Sequence, residues 1–501
     1  MASILSWGIM LHWKNKTQKS PQQTTFHCSQ VYNPVFEEHK DSLEEGGVIL
    51  KSIIRETPKS NTPTSLKTSF TNNNIFLLGD NLNALQFLNS NLKHAIDLVY
   101  IDPPFMKNVS FFRHVYFRGT QKDVPFKQKQ YSDTWDLESY LQFLYERLVV
   151  IKDLMKDTGS IYVHLDEDAA HYVKVILDEI FGRENFRRQI IWNTASLNVA
   201  GFKGQIRDNY IYATGILLFY SKSDVYAFNP QFTPHAQEFI EKKYKYSDEK
   251  GRFRVTRRNN TIYLQEDPGE PITNIWNDIL SFNYAKIASR ESVFYPTQKP
   301  EALLERIILS SSNPGDTILD CFGGSGTTAA VAQRLERKWI LCDANPHAIH
   351  TSSKRLQRII TKEETGTSSR LFQIWRSQET KNEIQKNGAK FHYVKNENKI
   401  TVSFEDLNLS HPDEFPKLIE LIKDHPKISL VDSIYFSFSS EELNESSFNI
   451  HYSDIPRKKK GLIHKSYQFL LPKGWRNIKY LTVLLYDIFG NAYTQFYNTE
   501  T

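Results

Sequence analysis

At 501 residues the chain exceeds what a single hydrophobic core organises, so about two to four domains are expected. An apolar content of 40% supports packed cores, while the lack of any stretch long enough to span a bilayer argues against a membrane protein. A net charge of +5 leaves nucleic-acid affinity to local patches, and three cysteines, Cys28, Cys321 and Cys342, without paired metal or disulfide spacing fit a reducing cytoplasm.

Met1 to Trp13 is apolar but lacks a basic leader and a small-residue cleavage site, which makes it a poor secretory signal. Residues 1–73 are weakly patterned and close on a Ser-, Thr- and Asn-rich linker. Ile75 to Leu78 reads as a strand ending at Gly79-Asp80-Asn81, where Asp80 suits the N-cap of a helix from Leu82 to Leu88. Ile96 to Ile101 reads as a strand buried on both faces and stops at Asp102-Pro103-Pro104-Phe105. Neither proline can continue a ladder, so a rigid corner forms at the carboxyl edge of the sheet, where open α/β sheets bind ligands. Asp102 and the Pro103 carbonyl can each accept one hydrogen of an exocyclic amine while Phe105 stacks on its ring. Such holding frees the nitrogen lone pair for attack, a positioning and electrostatic form of catalysis. A lone motif of this kind is equally compatible with an ordinary Asp-Pro turn.

Met106 to Gln130 reads as a long loop carrying Lys107, Arg113, Arg118, Lys122, Lys127 and Lys129 with Phe111, Phe112, Tyr116 and Phe117 among them. Basic and aromatic residues beside the corner suit a clamp on DNA phosphates and a base. Helices are expected over Ser139 to Lys156 and Asp168 to Phe181, and strands over Ser160 to His164, Phe186 to Trp192 and Gly215 to Tyr220. Tyr226 to Phe294 mixes short aromatic strands with polar turns and holds a second basic patch that includes Lys243, Arg254, Arg257 and Arg258. A solvated charged surface is the ordinary fate of either patch alone; their flanking of the corner favours DNA.

Tyr295-Pro296-Thr297-Gln298-Lys299-Pro300 precedes a helix from Glu301 to Ser311 and leaves Lys299 near the sheet edge. The strand Thr317 to Leu319 then runs into Asp320-Cys321-Phe322-Gly323-Gly324-Ser325-Gly326-Thr327-Thr328 and a helix from Ala329 to Glu336. Glycines let the backbone approach a ligand, and the helix start offers N–H groups. No Gly-Lys-Ser/Thr follows, so a Walker loop is excluded, but a dinucleotide fingerprint with Asp343 as its ribose acid remains a competitor.

In this order the Asp-Pro-Pro-Phe, Thr-Gln-Lys-Pro and Phe-Gly-Gly-Ser-Gly-Thr-Thr motifs, with Asp343, resemble the β-class amino methyltransferases of DNA, closest to the modification subunits of type III restriction systems. The resemblance covers roughly residues 74–358. It implies a doubly wound, mostly parallel, Rossmann-like α/β sheet and S-adenosylmethionine as cofactor. Asp102, Pro103, Pro104 and Phe105 then correspond to the catalytic motif. Asp320, Phe322, Gly324 and Gly326 belong to the cofactor turn, Asp343 holds the ribose, Asp80 meets the adenine, and Lys299 and Thr327 hold the methionine carboxylate. Phe105 replaces the commoner Tyr, and Cys321 and Gly323 stand where relatives carry Pro or Ala, small changes that should leave the turn intact. The acceptor is expected to be adenine N6 in double-stranded DNA, because the corner begins with Asp where cytosine-N4 enzymes more often have Ser. No metal is implied. The competing readings are a cytosine-N4 enzyme, an RNA or protein amine methyltransferase, a nicotinamide oxidoreductase and a DNA-binding subunit without catalysis.

Domains are accordingly expected as an extension over 1–73, a catalytic half over 74–225, a target-recognition region over 226–294, a cofactor half over 295–361, and a linker with a β-rich domain over 362–501. The last shows alternating segments such as Lys399 to Phe404 and Ser429 to Phe438 and no chemistry. Dimerisation, DNA contact and docking of a restriction (helicase/nuclease) subunit are its candidate roles.

Overall fold

Six parallel strands, each buried on both faces, form the centre of an eleven-stranded sheet. The computed structural model describes residues 16, 25–32, 36–43, 47–52, 66–67, 70, 73–105, 109–115, 126–195, 210–282, 291–362, 372–377, 385–386, 388–396, 399–408, 427–439, 448–450, 452–455, 462–470, 478–487 and 492–499. The sheet elements are β1 (Phe26–Tyr32), β2 (Asn74–Leu78), β3 (Ile96–Ile101), β4 (Met155–Leu165), β5 (Phe186–Asn193), β6 (Thr214–Ser221), β7 (Ile275–Trp276), β8 (Thr317–Asp320), β9 (Lys338–Asp343), β10 (Phe372–Ser377) and β11 (Phe448–Ile450). Their order across the sheet is β7-β5-β6-β4-β3-β8-β9-β2-β10-β1-β11. The parallel centre runs from β4 to β10, while β6 pairs antiparallel with both β4 and β5.

Alternation along the strands explains why helices cover both faces. Ile75, Leu77, Val99 and Ile101 point into one core with Leu85 and Leu88 of α1 (Asn81–Leu92), Leu144 and Ile151 of α2 (Leu137–Leu154) and Val173 of α3 (Glu167–Phe181). Phe76, Leu78, Leu98 and Tyr100 point into the other, with Leu304 and Ile307 of α4 (Glu301–Ser311), Ala329 of α5 (Thr327–Arg334) and Leu356 of α6 (Pro346–Lys362). This is a doubly wound α/β sheet. Strands β8 and β9 insert between β3 and β2, so Ile318 and Leu319 pair with Leu98 and Val99. Two stretches far apart in sequence therefore end side by side at one edge.

Three expectations are corrected. The basic stretch read as a loop contains two antiparallel strands, Val109–Val115 and Phe126–Asp133, because its aromatic and β-branched residues suit pairing despite the interleaved charges. Residues 1–73 are more than an extension: β1 joins the main sheet antiparallel to β10, and Gly47–Ser52 pairs parallel with Ser466–Leu470. The segment after residue 361 is not separate either. Its β10 extends the main sheet beside β2, and Tyr435, Leu484 and Tyr486 pack into the second core with Leu356 and Phe372.

The remaining C-terminal strands, joined by the N-terminal strands Phe36–Leu43 and Gly47–Ser52, form two five-stranded sheets around a core that includes Val402, Phe436, Phe469 and Val483. Between β6 and β7, Tyr246–Asp248, Gly251–Val255 and Thr261–Tyr263 make a small three-stranded sheet. Among the described residues no helix is long and apolar enough to cross a membrane.

Candidate active site

The carboxyl ends of β2, β3, β8 and β9 converge on a cavity of about 540 Å3. Asp102, Pro103, Pro104 and Phe105 line one side, and Asp320, Phe322, Gly324 and Thr327 another, with Asp80, Lys299 and Asp343 between. The two distant motifs thus share one chamber. Gly326 alone among the cofactor candidates is not part of the lining; a Cβ there would run into Ser352, 2.5 Å from its Oγ, and its φ of +71° favours glycine.

The corner is fixed from several directions. The Phe105 N–H donates to Asp133 Oδ2 at 3.0 Å. Asp102 Oδ2 accepts from the Lys299 ammonium, whereas Asp102 Oδ1 is buried without a hydrogen-bond partner. Burial pushes the Asp102 carboxyl above its ordinary value, and Lys299 works in the opposite direction. Lys299 also donates to the Thr297 carbonyl at 3.3 Å and lies 5.0 Å from the Phe105 ring centroid.

Behind the corner stands a pair that sequence reasoning missed. Tyr100 Oη lies 2.9 Å from His164 Nδ1, and that nitrogen is 3.8 Å from Asp102 Oδ1. Burial keeps the Tyr100 hydroxyl protonated, and burial together with the Lys299 charge pushes the imidazole well below its ordinary value. A neutral ring and the protonated Tyr100 hydroxyl therefore share one hydrogen bond, whose direction follows the ring's tautomer. Phe105 and Trp192 lie against this ring, and Gly215 leaves room for it, since a Cβ there would lie 2.6 Å from His164 Nε2. In sequence, a histidine closing an apolar strand carries no mark of such a position.

The glycine turn is built by its own acids. Asp320 Oδ1 accepts from Phe322 N at 2.9 Å and Oδ2 from Thr328 Oγ1 at 2.6 Å, and burial pushes this carboxyl up to about 7. Asp343 accepts from Gly324 N and Asn345 N, both at 2.8 Å, and burial pushes it up to about 6. Gly323 is held against β9, where a Cβ would lie 2.5 Å from Leu341 Cγ, and with Cys321 and Gly323 in place the turn keeps its hydrogen bonds from Phe322 N and Gly324 N. Tyr295 lies over Gly324, and Thr327 Oγ1 donates to the Lys299 carbonyl and accepts from buried Arg355.

Asp80 caps α1 through Oδ1, which accepts from Leu82 N and Asn83 N, while Oδ2 pairs with Arg147 at 3.1 Å. Arg147 also donates to Asn81, whose amide reaches the Cys321 carbonyl at 3.0 Å, so α1 is tied to the glycine turn. Neither Arg147 nor Arg355 stands out in the sequence, because helix arginines are ordinarily solvated.

The expected DNA contacts divide. Lys107 and Arg118 lie outside the described residues, and Arg113 sits on the strand Val109–Val115. Lys243, Arg257 and Arg258 are exposed. Arg254 is committed within its module, donating to Tyr244 Oη at 3.1 Å and to Asp267 Oδ2 at 2.9 Å. No cluster of side chains able to hold a metal occurs among the described residues.

The N6/N4 methyltransferase family, described as DNA methylase, matches residues 96–354. The type II methyltransferase M.EcaI of Enterobacter cloacae is 28% identical over 331 residues, covering 56% of this chain and 69% of that protein. The type III restriction-modification enzyme StyLTI Mod subunit of Salmonella typhimurium is 26% identical over 348 residues, covering 54% of this chain and 52% of that protein, so the chain spans about half its length. The DNA adenine methyltransferase YhdJ of Escherichia coli is 26% identical over 268 residues, covering 52% of this chain and 76% of that protein. Because the family match takes in more than half of the 501 residues and holds both the Asp-Pro-Pro-Phe corner and the glycine turn, the chain belongs to the N6/N4 DNA methylase family.

Proposed function

We propose that this protein methylates the exocyclic amino group of a base in double-stranded DNA, with adenine N6 as the acceptor and S-adenosylmethionine as the donor. The observation that carries the reading is one cavity whose walls are the Asp-Pro-Pro-Phe corner and the glycine turn. Its volume suits a nucleoside with an amino-acid arm. The residues present fit that group: Asp343 offers a carboxylate to ribose hydroxyls, Asp80 faces the nucleoside end, and the Lys299 ammonium and the backbone N–H of Thr327 at the start of α5 offer donors to a carboxylate. When bound, S-adenosylmethionine supplies a methyl group whose bond to sulfur breaks, with the electron pair going to sulfur, as the amine nitrogen bonds to carbon.

The chain's part is to hold and orient. Asp102 Oδ1, buried and without a partner, accepts one amino hydrogen of the base, and the Pro103 carbonyl accepts the other. Phe105 stacks on the ring. Asp102 acts as a positioning acceptor and takes the proton only after the nitrogen has become cationic. The base must leave the duplex stack to reach the cavity. Exposed Lys243, Arg257 and Arg258 contact backbone phosphates, and residues 226–294 read the target sequence. The likeness to a Mod subunit extends the proposal to a restriction partner docked on the full chain.

The test is transfer of tritiated methyl from S-adenosylmethionine to duplex DNA, RNA and protein in parallel, followed by mass spectrometry of the digested nucleosides. N6-methyladenine in DNA is expected. N4-methylcytosine would reassign the base, and label confined to RNA or protein would reject the reading. Asp102→Ala is expected to lower transfer by at least roughly 10²–10³-fold with the cofactor dissociation constant little changed.

A further inference from the structure

Lys299 is the only basic side chain that lines the cavity among the described residues. Its ammonium is held on three sides by the catalytic corner and its own loop: it donates to Asp102 Oδ2 and to the Thr297 carbonyl, and it lies beside the Phe105 ring. Its side chain is 13% exposed and that of Asp102 is 16% exposed, so the pair is shielded from solvent. Its backbone carbonyl is fixed by Thr327 Oγ1, at the start of the cofactor-turn helix. The lysine therefore ties the β3 corner to the β8 turn physically.

The groups around Asp102 make that position consequential. Tyr100 comes from the same strand, His164 from β4, Tyr140 from α2, Asp320 from β8, and Asp133 lies behind the Phe105 amide. His164 is neutral, the tyrosines are protonated, and the remaining neighbours are acids, so Lys299 supplies the positive charge that favours an ionised Asp102. A protonated Asp102 would have a hydrogen where the amine requires an acceptor.

We propose that Lys299 is a positioning residue for the catalytic corner: its ammonium holds Asp102 as an oriented carboxylate through Oδ2 and leaves Oδ1 directed to the amine. This rests on the methyltransferase reading above and adds a role beyond that of a cofactor-carboxylate anchor. An ammonium has three donors, so one lysine can serve both.

The experiment measures the pH dependence of methyl transfer to genomic duplex DNA from a methylation-deficient host, with cofactor and DNA saturating, for wild type, Lys299→Met, Lys299→Arg and Lys299→Ala. In Lys299→Met the acid limb of kcat is expected to move upward by at least one pH unit, so that on the acid side of the wild-type limb the rate falls about tenfold or more, with recovery largely complete by about pH 9. Lys299→Arg should keep the limb near its wild-type position, and added methylammonium should restore Lys299→Ala. An unmoved limb, with only the cofactor dissociation constant raised in calorimetry, overturns the proposal and leaves the anchor role. Thermal melts identify any variant that fails to fold, and the methylammonium response of the other uncharged variant then decides, absence of rescue counting against the proposal. A wild-type protein that methylates no DNA would instead reject the function on which the proposal rests.

Discussion

Asp343 shows how much one side chain carries in this site. Both its oxygens accept backbone N–H groups, yet burial pushes it up to about 6. An unfolded Asp titrates near about 3.9, so its folded value is raised. The stability associated with its neutral form is present below that unfolded value and is lost as pH rises through about 6. Under the proposed function the cofactor needs the charged form. Affinity for S-adenosylmethionine is therefore expected to fall as pH drops below about 6, by up to about tenfold per pH unit, and Asp343→Asn should abolish this dependence. Calorimetric titration between pH 5 and 8 checks it; a flat wild-type profile would exclude Asp343 as the ribose acid. This acid was legible in sequence because it ends an apolar run at the right distance from a glycine turn. His164 and Tyr100 were not, since strand residues with the same local pattern ordinarily pack in a core.

Among elements, the turn between β8 and α5 depends on packing against its neighbours more than on ligand clearance. A Cβ on Gly323 would strike Leu341 of β9, and one on Gly326 would strike Ser352 of α6. Gly323→Ala is expected to destabilise the protein by about 1–3 kcal/mol. Leu341→Ala should make that second change much less costly in the double variant, a coupling measured by denaturant unfolding of all four proteins of the cycle. Additive effects would show that the turn yields without touching β9. The sequence marks these glycines as a turn but not the neighbours that require them, because Leu341 and Ser352 meet them only in the folded sheet. The pairing of Val109–Val115 with Phe126–Asp133 was hidden for another reason: Arg113, Lys127 and Lys129 mask the alternation that pairing uses.

For the whole molecule, the C-terminal segment is part of the same core as the methyltransferase sheet. His350 of α6 stacks on Tyr486 with ring centroids 4.2 Å apart, and His350 Nε2 meets Asp432 Oδ2 at 2.7 Å. Tyr486 also bonds to Gln30 Nε2 at 3.1 Å, which joins β1 to the C-terminal domain. Tyr486→Ala should cost roughly 3–5 kcal/mol and lower the midpoint of a single cooperative melt. If the two halves melted separately and only the C-terminal one shifted, their shared core would be refuted. Strand positions after residue 395 were readable from alternation, yet docking was not, because its contacts join residues such as Gln30 and Tyr486 that lie 456 positions apart.

The insertion of β8 beside β3 also sets a timetable for synthesis. Asp97 Oδ2 accepts from Thr317 N across 220 positions, so β3 leaves the ribosome well before its sheet neighbour exists. At translation rates of about 5–20 residues per second the interval is on the order of 10–45 s. Throughout it the apolar edge of β3 is open to mispairing with other nascent chains. Expression yield should therefore respond to chaperone supply and to slower growth temperature more than the stability of the finished protein would suggest.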